Sequence, residues 1–321
     1  MKIRSIITLA VLGAVAGAPL GAQQGPGPVI ALDPSFAELV PHDAVLEKLA
    51  GPFTPSLEGG VWSRRGNFLL FSNKAARLIN KWTPESGVSV YMDLGKIAKV
   101  DDPEVNLSSG TTFDAQGRLV YASQGERAII RVEPDGKRTV LADSYQGTKF
   151  GSPNDLVINK RATIYFTDNP RDATNGAYML KDGKVTLVTR GELKRPNGIG
   201  LSPDEKVLYV NDSGGGGRRC VWRFDIQPDD MPANGRLWVD MSSDQTKGIP
   251  DGMKIDTHGN VWDGGPGGIW VLSPDGKHIG TIRTPDQVAN LAFGDNDGKS
   301  LYMTLHSWLY RLRVNVPGLV P

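Results

Sequence analysis

The stretch Asn197-Gly198-Ile199-Gly200-Leu201-Ser202 is one of six segments that share a pattern along this chain. Each begins with an oxygen-bearing side chain, most continue with Gly and a short apolar run, and each has Ser, Asp or Asn five positions later. The other five segments begin at Glu58, Ser109, Asn154, Asp251 and Asn290. Successive first residues are separated by 51, 45, 43, 54 and 39 positions. This period is typical of a four-stranded propeller blade and too long for one turn of a solenoid.

Within each unit, two short apolar runs flank a turn that is rich in Gly, Pro, Asp and Ser. One example is the run 199–201, followed by Ser202-Pro203-Asp204 and the run 207–210. These residues favour tight reversals, because Gly accepts positive φ and Asp or Ser caps its own backbone. No stretch keeps a 3.6-residue period over a dozen residues, which argues against a βαβ fold. The sequence therefore predicts an all-β, six-bladed β-propeller over residues 44–321.

Residues 44–50 precede the first unit and contain the apolar pattern of a further strand. The last unit, residues 288–316, is short and is consistent with a blade that lacks one strand. A propeller that lends an N-terminal strand to its last blade closes the ring and removes an exposed edge. We therefore expect the ring to be closed by this strand, with a surface helix over 44–50 as the alternative.

The first 22 residues predict a secretory signal peptide. Residues 1–4 are basic, residues 5–17 are apolar, and small residues follow. The apolar run is too short to span a membrane. Cleavage after Ala18 or after Ala22 fits the pattern equally well, and residues 23–43 are expected to form a linker. This pattern predicts a periplasmic or secreted protein whose mature form has no membrane span.

Composition narrows the classes of partner. The net charge is +1 with no basic or acidic blocks, which argues against nucleic acid and favours a small-molecule substrate. With 321 residues and 39% apolar content, the chain can bury a large single core. Cys220 is the only cysteine, so no intramolecular disulfide is possible, and we expect a buried structural thiol. The sequence leaves the oligomeric state open.

The first position of the repeat predicts a metal site. Glu58 and Asp251 would converge on the propeller axis with no basic residue in register, and the asparagines at the same position of other units would add amide oxygens. Two carboxylates 4 Å apart repel by about 4 kcal/mol at an effective dielectric constant of about 20, and a divalent cation removes that penalty. Carboxylate and amide oxygens suit Ca²⁺ better than Zn²⁺. Ca²⁺ is thus the expected ion, with Mg²⁺, Mn²⁺ or Zn²⁺ as alternatives, although each segment alone is an ordinary turn sequence.

Several segments resemble signatures of the SMP-30/gluconolactonase family. They are Leu57-Glu58-Gly59-Gly60-Val61-Trp62, Ser152-Pro153-Asn154-Asp155, Arg195-Pro196-Asn197-Gly198 and Pro250-Asp251-Gly252-Met253. The resemblance covers roughly residues 45–315. It implies a six-bladed propeller with one catalytic divalent cation, usually Ca²⁺, on its axis, and an activity such as sugar-lactone hydrolysis. It also implies that the ion is held by Glu58, Asn154, Asn197 and Asp251.

The chain departs from that family at two positions that bear on substrate. Ser109-Gly110 stands where members often have Asn-Gly, and Ser152 stands where some sugar lactonases place a basic residue. Ser109 and Asn290 are predicted to contact substrate or to support the metal ligands. The sequence therefore supports the metal site better than it supports the identity of a sugar substrate.

The resulting hypothesis is a lactone hydrolase in which the cation polarises the carbonyl group and Asp251 takes a proton from water. Glu58 would balance charge, while the two asparagines supply neutral oxygen ligands. One alternative is a promiscuous aryl-ester or phosphotriester hydrolase on the same metal site. The other is a non-catalytic ligand-binding propeller, which does not explain two acids on the axis.

Overall fold

The computed structural model describes residues 28–100, 102, 105–170, 175–215 and 217–321. The predicted signal peptide, residues 1–22, and residues 23–27 of the predicted linker lie outside the described residues. Within the described residues, the two α-helices are four residues long each, Phe36–Leu39 and Leu94–Ile97. No helix in this part of the chain has the length and apolar character needed to cross a membrane.

Six antiparallel sheets, each built on consecutive strands, form the blades of the propeller. We number them in chain order and name the first strand of each the inner strand. Blade 1 contains Leu57–Ser63, Phe68–Asn73, Leu78–Thr83 and Gly87–Asp93. Blade 2 contains Thr111–Phe113, Leu119–Ser123, Ala128–Val132 and Arg138–Ala142. Blade 3 contains Pro153–Ile158, Ile164–Asp168, Gly176–Lys181 and Lys184–Thr189.

The second half of the chain repeats this arrangement. Blade 4 contains Pro196–Leu201, Val207–Ser213, Arg219–Ile226 and Pro232–Asp240. Blade 5 contains Met253–Ile255, Val261–Gly265, Gly268–Leu272 and His278–Arg283, and blade 6 contains Val288–Gly294, Ser300–Leu305 and Trp308–Arg313. A short hairpin of Ser144–Tyr145 and Thr148–Lys149 follows blade 2. The all-β, six-bladed prediction is confirmed.

The N-terminal segment adds a strand to each of the last two blades. Glu47–Ala50 pairs with Trp308–Arg313 as the outermost strand of blade 6, and a Glu47–Arg311 ion pair of 2.6 Å fixes this contact. Val29–Ala31 pairs with the outer strand of blade 5. Phe36 and Val40 are fully buried against blades 5 and 6. Residues 28–43, expected to be a linker, therefore carry a strand and a helix packed on the propeller.

The core consists of layers between successive blades, because each sheet presents both faces to its neighbours. Trp62 of blade 1 stacks on Tyr302 of blade 6 with ring centroids 5.4 Å apart. Trp262 of blade 5 meets Phe293 of blade 6 edge to face at 5.5 Å. Cys220 is buried in blade 4 as a free thiol, in agreement with the expectation from sequence. These layers hold the six inner strands side by side.

The inner strands approach each other closely around a central channel. Gly110 N donates to Asn154 O at 2.7 Å, and Gly252 N donates to Ala289 O at 2.9 Å. A Cβ atom on Gly198 would lie 2.1 Å from Asp251 O in the next blade. Glycine is therefore required at position 198 by the distance between the neighbouring backbones.

Candidate metal centre

Four of the predicted side chains meet at one end of the central channel. Glu58, Asn154 and Asn197 are the second residues of the inner strands of blades 1, 3 and 4. Asp251 lies two residues before the inner strand of blade 5. Together they line a cavity of about 310 Å³, which we call the axial cavity. The structure thus brings together the four residues proposed as metal ligands.

β-Bulges direct three of these side chains, those of Glu58, Asn154 and Asn197, into the channel. The register between the first two strands shifts between Glu58 and Val61, between Pro153 and Leu156, and between Pro196 and Ile199. A bulge inserts an extra residue into one strand and changes the direction of its side chain. Glu58, Asn154 and Asn197 therefore point inward because the ladder is interrupted at each of them.

Blade 6 does not follow the register that its sequence indicates. In blade 3, the backbone oxygen of the ring residue Asn154 accepts a hydrogen bond from Gly110 N of the preceding blade. In blade 6, the backbone oxygen that accepts the equivalent bond, from Gly252 N, is that of Ala289. Asn290 instead matches Asp155, since each side chain accepts from the following backbone N–H, at 2.9 Å in both cases. The bulge of blade 6 lies between Val288 and Asn290, one residue farther from its hairpin than in blade 3. Ala289 consequently occupies the sixth position of the ring.

Hydrogen bonds link the ring residues to one another. Ser109 Oγ donates to Asn154 Oδ1 at 2.8 Å, and Asn154 Nδ2 donates to Asn197 Oδ1. Asn197 Nδ2 in turn donates to Ser213 Oγ at 2.9 Å, and Ser213 Oγ donates to Pro250 O at 2.8 Å. With its amide nitrogen held by Ser213, Asn197 presents its oxygen toward the ring.

Ser109 and Asn290, predicted to contact substrate or support the ligands, do not line the axial cavity. Ser109 is fully buried against Asn154, and Asn290 is 2% exposed. Asn290 Nδ2 donates to Asp155 Oδ2 at 3.2 Å, and Asn290 Oδ1 accepts from Lys254 Nζ at 3.1 Å. In this structure both side chains therefore have contacts that support the ring residues.

Two charged residues, Asp155 and Lys254, lie directly beneath the ring and were not predicted from the sequence. Asp155 is 2% exposed and follows the ring residue Asn154, at the place where four other units have Gly. Lys254 lies on the far side of Asn290 and opposes the effect of burial on the Asp155 carboxyl. The acid in place of the usual Gly was the one signal in the sequence that distinguished this position.

The buried acids repel one another. Burial raises the pKa of Asp251 well above its usual range, and the neighbouring Glu58 raises it further. Burial also raises the pKa of Glu58, where Lys74 acts in the opposite direction with its Nζ 3.8 Å from Glu58 Oε1. Asp155 adds negative potential to both carboxyls. The ring thus concentrates negative charge that Lys74 offsets only in part.

The residues present fit a hard divalent cation. Asp251 Oδ1 is buried and has no hydrogen-bond partner, as expected of an oxygen reserved for a ligand. Glu58, Asn154 and Asn197 add a carboxylate and two amide groups, the donor set that Ca²⁺ prefers. The described residues contain no cluster of three or more His, Cys, Asp or Glu suited to a metal. Binding would consequently depend on the amide oxygens as well as the two acids.

A further buried acid, Asp263, lies behind the ring in blade 5. Asn211 Nδ2 donates to Asp263 Oδ1 at 2.6 Å and to Asp251 O at 2.5 Å, while Asn211 Oδ1 accepts from Gly198 N at 2.8 Å. Burial raises the pKa of Asp263 well above its usual range. Asn211 therefore connects blades 4 and 5 at the backbone of a proposed ligand.

The walls of the axial cavity are polar. Lys74, Gln124, Ser152, Asn169 and Arg195 line it, and Ile249 and Pro170 supply its apolar surface. A second cavity of about 380 Å³ lies at the other end of the channel, where the inner strands are apolar. Lys254 reaches the edge of that cavity from below the ring. Donors and acceptors around a small volume favour a polyhydroxylated ligand in the axial cavity.

Comparisons with known proteins agree with the propeller fold. A sequence model of the SMP-30/gluconolactonase/LRE-like region matches residues 57–307. A gluconolactonase from Zymomonas mobilis is 33% identical over 315 residues, covering 91% of this chain and 87% of that protein. The pentonolactonase XacC from Haloferax volcanii is 27% identical and covers 77% of this chain and 80% of that protein. A solved gluconolactonase structure from Xanthomonas campestris has a TM-score of 0.79 at 28% identity, covering 94% of this chain and 98% of that one.

Proposed function

The chain belongs to the SMP-30/gluconolactonase/LRE-like family and is a lactonase-type hydrolase, and we propose that it opens a small sugar-like lactone in the axial cavity. The observation that carries this proposal is the convergence of Glu58, Asn154, Asn197 and Asp251 from four blades on one small polar cavity. A divalent cation bound there, Ca²⁺ being the expected ion, would polarise the lactone carbonyl group.

Asp251 is the residue that we propose as the base. One oxygen of its carboxylate would hold the cation, and the other would accept a proton from a water molecule beside the substrate. Oδ1 has no hydrogen-bond partner among the described residues, so it is free for one of these two roles. That water adds to the carbonyl carbon, the ring C–O bond breaks, and the ring oxygen takes up a proton to give the hydroxy acid. Glu58 balances charge, and Asn197, held by Ser213, orients a neutral oxygen toward the ring.

The test is hydrolysis across a panel of substrates with the purified chain. The panel contains glucono-1,5-lactone, pentonolactones, an aromatic lactone, an aryl acetate and a phosphotriester, before and after dialysis against chelator. We expect the sugar lactones to be hydrolysed fastest, with activity lost on chelation and restored by Ca²⁺. Faster turnover of the aryl acetate or the phosphotriester would favour the alternative hydrolase. Binding without turnover of any substrate would favour a ligand-binding propeller.

An Asp251→Asn variant tests the role of the base. We expect its kcat for glucono-1,5-lactone to fall by roughly 10²- to 10⁴-fold, as for removal of a general base. The matched control is Asp135→Asn, which removes an exposed carboxylate at a hairpin of blade 2. Retained activity in Asp251→Asn would remove this residue from the mechanism, whereas full activity after thorough chelation would exclude metal dependence.

Two further proposals concern the N-terminal region. We infer from the residue pattern that residues 1–22 direct export to the periplasm or the outside, since a basic start is followed by an apolar run and small residues. Mass spectrometry of the exported protein would give a mature N-terminus after Ala18 or Ala22. We also propose that Glu47–Ala50 closes the ring, a proposal supported by its pairing with the last strand of blade 6.

A further inference from the structure

We propose that Arg195 and Lys74 form an anion subsite in the axial cavity, so that the preferred substrate is a small lactone carrying a carboxylate or phosphate group. This inference rests on the proposed function and narrows its substrate class. Arg195 and Lys74 are the cationic side chains among the described residues that line this cavity. They approach it from blades 4 and 1.

Arg195 is held by its backbone while its side chain remains available. Asp212 Oδ1 accepts from Arg195 N at 3.1 Å, and Ser213 N donates to Arg195 O at 3.0 Å. No acid among the described residues forms an ion pair with its guanidinium group. Asp212 thus anchors the segment without neutralising the charge that faces the cavity.

The equivalent position in blade 3 is neutral. Asp168 Oδ1 accepts from Ser152 N, and Asn169 N donates to Ser152 O at 3.1 Å, which repeats the anchoring of Arg195. Ser152 and Arg195 therefore occupy matching places before the ring residues of neighbouring blades, and both line the cavity. Blade 3 therefore adds no charge at the place where blade 4 adds that of Arg195.

Lys74 contributes the second charge. Its side chain is 13% exposed, and its ion pair among the described residues is with Glu58, at 3.8 Å. A divalent cation on Glu58 and Asp251 would neutralise those two carboxylates. Beneath the ring, the charge of Lys254 opposes that of Asp155. Lys74 and Arg195 would then leave the lining of the cavity with excess positive charge.

The chemistry of the walls completes the assignment. Gln124, Ser152 and Asn169 supply hydrogen-bonding groups that suit hydroxyls, whereas a guanidinium group prefers the paired oxygens of a carboxylate or phosphate. A cavity of about 310 Å³ is at the lower end of the range for small-molecule sites, which suits a single sugar-sized ring.

Binding of stable acids tests this subsite without turnover. The probes are D-gluconate, D-glucarate and 6-phospho-D-gluconate, titrated by calorimetry into the protein with calcium in excess of the probe. We expect D-glucarate, 6-phospho-D-gluconate or both to bind at least about tenfold more tightly than D-gluconate, as one charge-assisted contact would give. Which of the two binds better distinguishes a carboxylate from a phosphate as the preferred group. Equal affinity for all three would overturn the proposal.

Variants assign the preference to named residues. In Arg195→Gln we expect the ratio of affinities between the probe with two anionic groups and D-gluconate, which has one, to fall to within about threefold, with a smaller fall in Lys74→Gln. The matched control is Arg64→Gln, which removes an exposed arginine at the opposite end of the channel and should keep the wild-type ratio. A ratio that survives in both Arg195→Gln and Lys74→Gln would refute the subsite.

Kinetics separates this inference from the proposed function. We expect kcat/KM for glucaro- and 6-phosphoglucono-lactones to exceed that for glucono-1,5-lactone, with the ratio reduced in Arg195→Gln. Equal hydrolysis of neutral and anionic lactones, independent of Arg195, would refute the subsite and leave the lactonase intact. Arg195-dependent probe binding with no lactone hydrolysed would refute the proposed function instead.

Discussion

Gly198 is the residue whose replacement tests most directly how the ring is built. A Cβ atom there would lie 2.1 Å from Asp251 O and 2.8 Å from Asn211 Nδ2. Because one contact is backbone, Gly198→Ala must separate the inner strands of blades 4 and 5. We expect the free energy of unfolding to fall by about 1–3 kcal/mol, the usual cost of overpacking. Urea unfolding followed by tryptophan fluorescence measures this change.

The control for this prediction is Gly95→Ala. A Cβ atom at Gly95 would meet its nearest neighbour, Asp93 Oδ1, at 3.4 Å, so there is room for it. We also expect Gly198→Ala to weaken Ca²⁺ binding, since Asp251 moves with its backbone, whereas Gly95→Ala should leave that affinity unchanged. Equal unfolding free energies for the two variants would contradict the close approach of the inner strands.

A residue of this ring can be predicted from the sequence only where the number of residues between it and the following hairpin is the same as in the other units. That spacing held for Glu58, Asn154, Asn197 and Asp251, which meet in the structure. It failed for Asn290, because the bulge in blade 6 lies one residue farther from the hairpin and places Ala289 in the ring. Bulge position depends on contacts between blades, which a linear pattern does not contain.

Asp230 joins two structural elements, the hairpin between the first two strands of blade 3 and an outer turn of blade 4. Its buried carboxylate accepts from Asn159 Nδ2 at 3.0 Å, Thr163 Oγ1 at 2.9 Å and Arg161 Nε at 2.7 Å, and pairs with Lys181 Nζ at 2.9 Å. The hydrogen bond from Arg161 contributes most to lowering the pKa of Asp230 far below its usual range. This carboxylate is therefore expected to contribute to stability in its ionised form.

We expect Asp230→Asn to lower the free energy of unfolding at pH 7 by about 2–3 kcal/mol, since a charged acceptor is lost while its donors remain. A folded-state pKa below the unfolded value of about 3.9 means that this contribution is present above about pH 4 and is lost as pH falls further. The difference between wild type and variant should therefore narrow between pH 4 and pH 2.5 in urea titrations. Asp229→Asn, next to it and exposed, is the control, and a difference that does not vary with pH would contradict the assignment.

At the level of elements, the sequence predicted strands well and the N-terminal segment only in part. The strand expected over 44–50 is present as Glu47–Ala50. Val29–Ala31 and Phe36–Leu39 were assigned to a linker, because neither is long enough to show a period in the sequence. Val29–Ala31 pairs with the outer strand of blade 5, and Phe36 packs into the core between blades 5 and 6. Both are tertiary contacts, which a local sequence pattern does not contain.

For the molecule as a whole, the N-terminal segment is expected to decide whether the ring is stable. A chain that starts at Gly51 exposes the outer edges of blades 5 and 6 and loses the buried side chains of Phe36, Leu39 and Val40. Burial of each such side chain contributes about 1.5–3 kcal/mol, so we expect a loss of at least about 4 kcal/mol and aggregation through the open edges. Calorimetry and soluble yield measure this effect against a chain that starts at residue 28. Equal Tm values would contradict a closing role for the segment.

The number of blades could be predicted because six units repeat a turn and two strands at blade-length intervals. The charge beneath the ring could not, because Asp155, Asn290 and Lys254 come from three blades and meet only when the ring is closed. The same closure brings Glu58 and Asp251 together from blades 1 and 5. Metal binding and global stability are therefore expected to be coupled.

That coupling gives a prediction for the whole molecule. An ion held by side chains of four blades binds the folded state alone, so Ca²⁺ at 100 times its Kd should stabilise wild type by about 2.7 kcal/mol. In chelated protein, Asp251→Asn removes a buried carboxylate that Glu58 repels, and we expect its Tm to equal or exceed that of chelated wild type. With Ca²⁺ the order should reverse, because the variant loses a charged ligand. Calorimetric scans with chelator and with Ca²⁺ measure the Tm of wild type and Asp251→Asn in each condition.

The pH dependence of stability distinguishes coupling through the axial ring from a general effect of calcium on the protein surface. Burial and Glu58 raise the folded-state pKa of Asp251, so chelated wild type takes up a proton on folding and should lose stability as pH rises above the unfolded value of about 3.9. Chelated Asp251→Asn should show a shallower fall over the same range, and Asp135→Asn should follow wild type. If Ca²⁺ raised the Tm of wild type and Asp251→Asn equally, the ion would be bound elsewhere, and the axial ring would not be the site that couples metal to fold.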